Sequence, residues 1–240
     1  ISNRNDTYHG LYTMNTDGSS IVRLTDENTI SGKPDWSPDG SQIVFSYYDD
    51  IYRIGKFGNG LESITENNFS DDNPAWSPNG ETIAFDSVRN GDKEIFTINI
   101  DGSGEGALTD NEYTDCQPDW SPDGNWIVFS SDRIDGNWNL FIMDSNGENV
   151  HQLTSGPAYD NYPAWSPDGT KVVFYRGGNI YTINTDGTGI TQITTIGYAD
   201  IEPAWSPDGS RIIFSSGFGD GSGSDMYEIC IIDTDGSDFQ

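Results

Sequence analysis

Short apolar runs of β type, such as Ile43-Val44-Phe45, recur along the chain every 40 to 45 residues, each in the same place after one polar block. The block reads Pro-x-Trp-Ser-Pro-Asp/Asn-Gly, with its tryptophan at Trp36, Trp76, Trp120, Trp165 and Trp205. Nine residues after each tryptophan stands a phenylalanine: Phe45, Phe85, Phe129, Phe174 and Phe214. A third run ends its apolar pair at Tyr52, Phe96, Phe141, Tyr181 or Tyr227, and 13 residues further come Thr65, Thr109, Thr154, Thr194 and Gln240. From Thr25, Thr65, Thr109, Thr154 and Thr194 the next block's proline is nine residues on. Four short strands per repeat, here lettered a to d, predict a β-propeller with one blade per repeat.

Only the stretch between strands b and c changes length, with intervals of 7, 11, 12, 7 and 13 residues from the phenylalanine to the third run. The a–b turn is Ser-Pro-Asp/Asn-Gly, where proline presets φ and glycine accepts the left-handed position. The c–d turn carries Asp-Gly or Asn-Gly, as at Asp101-Gly102 and Asn146-Gly147. In an up-and-down meander these turns share one edge of the blade. The variable b–c loops and the constant d–a connections share the opposite one, and binding residues concentrate on such loops.

The expected fold is all-β: one domain over 1–240, a propeller of four-stranded antiparallel blades, six in number with the first incomplete. The repeats run 1–25 (partial), 26–65, 66–109, 110–154, 155–194 and 195–240. The first lacks its Trp-Ser-Pro-Asp-Gly half, with Ser2-Asn3-Arg4 standing where Ser131-Asp132-Arg133 stands later. Phe239-Gln240 falls in the register of Leu-Thr, which predicts a complete last repeat. An inner strand for the first blade would come from sequence before Ile1 or after Gln240, or else that blade is thin. Aromatic residues fill the wedges between radial sheets, with the repeated tryptophan as the inter-blade plug. Cys116 and Cys230 fall on different strands and read as reduced structural thiols.

A net charge of −28 with only four lysines repels nucleic acid and anionic membrane surfaces, which excludes nucleic-acid binding. No stretch of 18 apolar residues occurs, so no membrane span is predicted. The start at Ile1 without methionine suggests a mature form or an excerpt. The acidity reads as solubility in a salty or extracellular setting, or as attraction for a cation or a basic partner.

The fixed-length d–a loop brings equivalent residues around the ring near the central channel. Three residues before the blade proline stand Asp71, Asp115, Asp160 and Asp200, with Ser31 as the exception. Aromatics accompany them at Phe69, Tyr113, Tyr159 and Tyr198, and Trp138 lies on the same face. Projecting inward, the four carboxylates would form a rim able to recruit a hard cation such as Ca²⁺, or a cationic group of a protein or peptide partner. Alternatively, each aspartate caps loop amides in an Asx-type turn. The segment Asp220-Gly221-Ser222-Gly223-Ser224-Asp225 lacks the glycine and the acidic residue that a calcium loop requires, and reads as a flexible b–c loop.

Little supports catalysis. His9 and His151 are the only histidines and form no metal-binding pair, and there is neither a Gly-x-Ser-x-Gly elbow nor a phosphate loop. Paired carboxylates for glycoside or polysaccharide lyase chemistry stay open, because acidic residues are abundant and the uneven b–c loops would build a one-sided cleft. The sequence leans away from an enzyme.

The Pro-x-Trp-Ser-Pro-Asp-Gly block, the Ile-x-Phe strand, Ser131-Asp132-Arg133-Ile134-Asp135-Gly136-Asn137 and Leu140-Phe141-Ile142-Met143-Asp144 ahead of a Leu-Thr resemble the repeat of TolB-type β-propellers. The resemblance covers essentially the whole chain. It implies a bladed propeller in a bacterial periplasmic or extracellular setting. Similar repeats occur in a protein-binding subunit of the Tol envelope system, in substrate-gating propellers of peptidases and in some polysaccharide lyases. Fold alone does not choose among these. The residues favour a non-catalytic binding or scaffold module using Asp71, Asp115, Asp160, Asp200, Tyr113, Tyr159, Tyr198 and Trp138. The alternative is a carbohydrate-active enzyme or a gating propeller of a larger hydrolase.

Overall fold

The computed structural model describes residues 10–25, 30–89, 91–195, 200–218 and 226–239. It contains a two-stranded ribbon, β1 (Tyr12–Thr13) with β2 (Val22–Arg23), followed by five antiparallel sheets. The first is β3 (Ile30–Trp36), β4 (Gln42–Tyr47), β5 (Asp50–Gly55) and β6 (Glu62–Ser63). The second is β7 (Asp71–Trp76), β8 (Thr82–Val88), β9 (Lys93–Asn99) and β10 (Gly106–Ala107). The third is β11 (Asp115–Trp120), β12 (Trp126–Ile134), β13 (Asn137–Asp144) and β14 (His151–Gln152). The fourth is β15 (Asp160–Trp165), β16 (Lys171–Arg176), β17 (Asn179–Asn184) and β18 (Thr191–Gln192). The fifth has three strands, β19 (Asp200–Trp205), β20 (Arg211–Phe218) and β21 (Met226–Asp233).

Five blades therefore form, not the six expected. The described part of the first repeat is its c–d half, a two-stranded ribbon with no inner strand paired to it among the described residues. The ribbon still packs, its Leu11 and Leu24 lying against Ile43, Phe45 and Ile54 of the first blade. The last repeat is a second correction. Phe214 pairs with Cys230, not Tyr227, so the b–c interval there is 16 residues and Phe239 falls short of the Leu-Thr position. No fourth strand forms in this blade among the described residues.

Cores lie between blades rather than within them. Trp76, Ile83 and Phe85 of the second blade pack on Val44, Ile51 and Ile64 of the first, and the same arrangement repeats around the ring. The b strands, covered by neighbours on both faces, need continuous apolar runs, and β8 and β12 are each buried through five consecutive residues. The phenylalanines are the deepest plugs, with Phe45, Phe85, Phe129, Phe174 and Phe214 all under 2 % exposed or at 2 %. The tryptophans seal the interface to the preceding blade and are less deeply set. Trp36, whose preceding repeat shows no inner strand among the described residues, is 47 % exposed.

The recurrent polar residues hold this frame. Threonine Oγ1 accepts the amide that opens strand c, from Leu11 to Thr25, Ile51 to Thr65, Ile95 to Thr109, Leu140 to Thr154 and Ile180 to Thr194, at 2.8–3.0 Å. In the a–b turn, Ser37 Oγ donates to Asp39 Oδ1 and accepts the Gln42 amide, and the other four copies repeat this. Hydrogen bonds from Ser41 and Ser37 hold the Asp39 carboxylate down at a pKa of about 2, and those from Ser206 and Ser210 do the same for Asp208. Gly147 of a c–d turn has φ +86°, and a Cβ there would meet Leu108 O of the preceding blade at 2.5 Å.

Candidate functional site

The d–a connections and the b–c loops do share a face. The Asp71 amide donates to Asp49 O, and the Thr114 amide to Asp132 Oδ1, so each connection is tied to a b–c loop. On this face, Phe69, Tyr113, Tyr159 and Tyr48 are 39, 47, 55 and 60 % exposed. Trp138 is half-buried on β13, and Tyr198 lies outside the described residues.

Asp71, Asp115, Asp160 and Asp200 do not form an open rim. All four side chains are fully buried at the start of strand a. Asp115 accepts from Arg133 Nη2 at both carboxylate oxygens and from Asn111 Nδ2 at Oδ2, each at 2.8 Å. Asp160 is gripped by Arg176 through Nε at 2.6 Å and Nη2 at 2.5 Å. Asp71 accepts from Ser87 Oγ at 2.5 Å and Asn67 Nδ2 at 2.8 Å, with Arg89 at 3.8 Å. Burial raises the Asp71 carboxyl above its ordinary value against the pull of Ser87 and Asn67. Each arginine lies over aromatic rings: Arg89 over Phe96 at 4.0 Å, Arg133 over Phe141 at 4.8 Å, and Arg176 over Phe174 at 5.3 Å. The Asx caps of the loop belong to other residues, since Asn67 Oδ1 accepts the Phe69 amide and Asn111 Oδ1 the Tyr113 amide. Among the described residues no group of three or more His, Cys, Asp or Glu is placed to hold a metal ion. Cys116 and Cys230 are buried and unpaired.

The groups that do reach the channel were not singled out by the sequence. Each inner strand breaks register just before its proline. At four of the breaks the residue before proline is left-handed: Asn73 (φ 52°), Gln117 (57°), Tyr162 (54°) and Glu202 (54°). Non-glycine residues avoid this region, and a following proline restricts them further, so the backbone holds strain here. Cross-blade bonds hold it in place. Gln117 Oε1 accepts the Tyr162 amide at 2.9 Å, and buried Asp86 accepts from the Gln117 amide, Asn73 Nδ2 and Lys93 Nζ. Asp35 and Asp119 accept the amides of Trp76 and Trp165 in the following blade, at 2.7 and 2.6 Å.

Asp35, Asn73, Gln117, Asp119 and Tyr162, with Lys33, line a cavity of about 30 Å³. That holds a water or two and no organic substrate. Its electrostatics are strained as well. Burial raises the Asp35 and Glu202 carboxyls, and burial together with the nearby Asp35 charge pushes Asp119 up to about 7, with Lys33 opposing. The signal in the sequence was the residue before each blade proline, which is polar or aromatic in all five copies.

The family model described as TolB beta propeller domain matches residues 56–176 and 133–218. No curated protein sequence matches the chain closely enough to count as a relative. Among solved structures, the chain is similar to a putative TolB from Agrobacterium tumefaciens at 24 % identity and TM-score 0.84, covering 95 % of this chain and 85 % of that one. TolB from Acinetobacter baumannii gives 22 % identity and TM-score 0.80, covering 95 % of this chain and 57 % of that one. An oligogalacturonate lyase in complex with manganese gives 13 % identity and TM-score 0.68 over 96 % of this chain and 69 % of that one. At these identities the likeness is one of fold.

Proposed function

The chain belongs to the TolB β-propeller domain family, and from that premise we propose that it is a non-catalytic binding propeller which engages a protein or peptide through the d–a/b–c face. The observation that carries this reading is the arc of exposed aromatics, Tyr48, Phe69, Tyr113 and Tyr159, on the first four blades of that face. Aromatic residues standing out of a rigid, hydrogen-bonded loop set are the groups that anchor protein interfaces. Acidic surroundings in a chain of charge −28 favour a partner with basic residues. A periplasmic or extracellular location belongs to the same proposal. A hard cation at Asp115 or Asp160 would have to displace an arginine, which argues against calcium at those two positions. Lyase chemistry gains nothing from the channel, whose cavity is too small for a sugar.

The test is site-specific photo-crosslinking in envelope and secreted fractions, with benzoylphenylalanine at Tyr113 or Tyr159, and at Phe57 on the opposite c–d edge as control. Phe57 is 80 % exposed, so it samples solvent equally well. The captured partner is then titrated by calorimetry. A Tyr113→Ala/Tyr159→Ala variant with an unchanged melting temperature is expected to bind at least about tenfold more weakly. Equal capture from both edges, or unchanged affinity, overturns the reading.

A further inference from the structure

Across the blades the aspartate and its arginine come together or are absent together, except in the last. The second, third and fourth blades pair Asp71 with Arg89, Asp115 with Arg133 and Asp160 with Arg176. The first blade has Ser31 in place of the aspartate and Tyr47 in place of the arginine, its ring against Phe45 and Tyr52 as Arg176 lies against Phe174 and Tyr181. The fifth blade keeps Asp200, fully buried, with Ser216 Oγ donating to Oδ1 at 2.5 Å, and keeps Phe214 beneath. Its other carboxylate oxygen, Oδ2, is buried and has no hydrogen-bond partner among the described residues. The position two beyond Ser216, which is arginine beyond Ser87 and Ser131, is Phe218. Neither 195–199 nor 217–225 contains a lysine, arginine or histidine, so the adjoining sequence supplies no cation. The charges that face the nearby Cys230 thiol are Asp200 and Glu228, both negative.

An unpaired buried carboxylate oxygen is costly, and the cost is removed by a charge-assisted bidentate donor. We infer that Asp200 is the receptor for an arginine side chain carried by a protein partner, which occupies in the fifth blade the place that Arg133 and Arg176 fill in theirs. The guanidinium would bond Oδ2 and lie over Phe214. Arginine suits this place better than lysine because its planar fork meets a carboxylate and an aromatic face together. In the second, third and fourth blades the corresponding place opens on the d–a/b–c face, where the three resident arginines are 17–18 % exposed. The inference rests on the reading of that face as a partner surface and names the group the partner presents.

The test uses the full chain, ¹⁵N-labelled, titrated with N-acetyl-L-arginine methylamide and, separately, with the isosteric neutral citrulline derivative. The arginine probe is expected to give saturable amide shifts at Asp200 and Ser216 at a Kd on the order of millimolar, and the citrulline probe none. Asp200→Asn is expected to abolish the response. Phe218→Arg places a guanidinium in cis, and is expected to abolish it too while raising the melting temperature, so a misfolded Asp200→Asn protein would not leave the question open. No saturable shift, equal response to citrulline, or an unchanged response in Phe218→Arg overturns the inference. If the probe binds Asp200 while the aromatic variants leave partner affinity unchanged, the arginine site stands and the aromatic-face reading fails. If a captured partner binds Phe218→Arg and the parent chain equally, the aromatic face stands and the arginine anchor fails.

Discussion

Asp119→Asn isolates the electrostatic strain of the channel. In the folded chain the Asp119 carboxyl titrates at about 7, against an ordinary 3.8, because it is buried beside Asp35. Between those values the folded protein keeps a proton that the unfolded chain has released, so stability falls as pH rises through the window and the loss is complete above pH 7. At 1.36 kcal/mol per pH unit the gap amounts to about 4 kcal/mol, and screening by the solvent contact that this residue keeps brings the expected effect to about 2–4 kcal/mol. Asparagine keeps an oxygen to accept the Trp165 amide, so the cross-blade bond survives. Urea denaturation should therefore find variant and parent equal near pH 4 and the variant more stable by about 2–4 kcal/mol at pH 8. The turn aspartates Asp39 and Asp208, with pKa of about 2, lose stability only at lower pH and cancel in the difference. A difference that is flat with pH, or of opposite sign, would refute the assignment of strain to Asp119.

Thr154→Val is expected to cost about 1–3 kcal/mol in urea unfolding, because the buried Leu140 amide loses its acceptor. Asp160→Ala should cost about 3 kcal/mol by leaving Arg176 partly buried without its carboxylate, with much of it recovered in Asp160→Ala/Arg176→Met; an additive double variant would count against the pair. Adding calcium or a chelator should leave the melting temperature of an Asp200→Asn protein unchanged, since Asp115 and Asp160 are occupied by arginine; a calcium-dependent rise in that variant would show the ion displacing one.

Much of the frame was legible because it is local. Strand type, turn chemistry and the shared edge of the b–c and d–a loops follow from apolar periodicity and turn residues, which act over a few positions. The last blade was misplaced where that locality ended. An insertion of variable length let both Tyr227 and Cys230 serve as the end of strand c, although Asp235-Gly236 follows Cys230 by the five residues that separate Phe96 from Asp101-Gly102. The number of blades likewise depends on whether inner strands exist for the ribbon to pair with, which no motif in 1–25 states.

The sequence by itself determined a repeating four-stranded meander and the face on which its loops converge, because hydrogen-bonded turns and alternating burial are written into neighbouring residues. Only the tertiary structure decided what the repeated aspartates do. A carboxylate three residues before a proline reads the same at Asp115 and Asp200, and its role is set by what strand b brings to it. Arg133 closes the first into a buried ion pair, and among the described residues nothing closes the second. The same holds for the channel, where the left-handed turn at Gln117 and Tyr162 arises from the register break of a strand held between two neighbours and not from the residues' own preference.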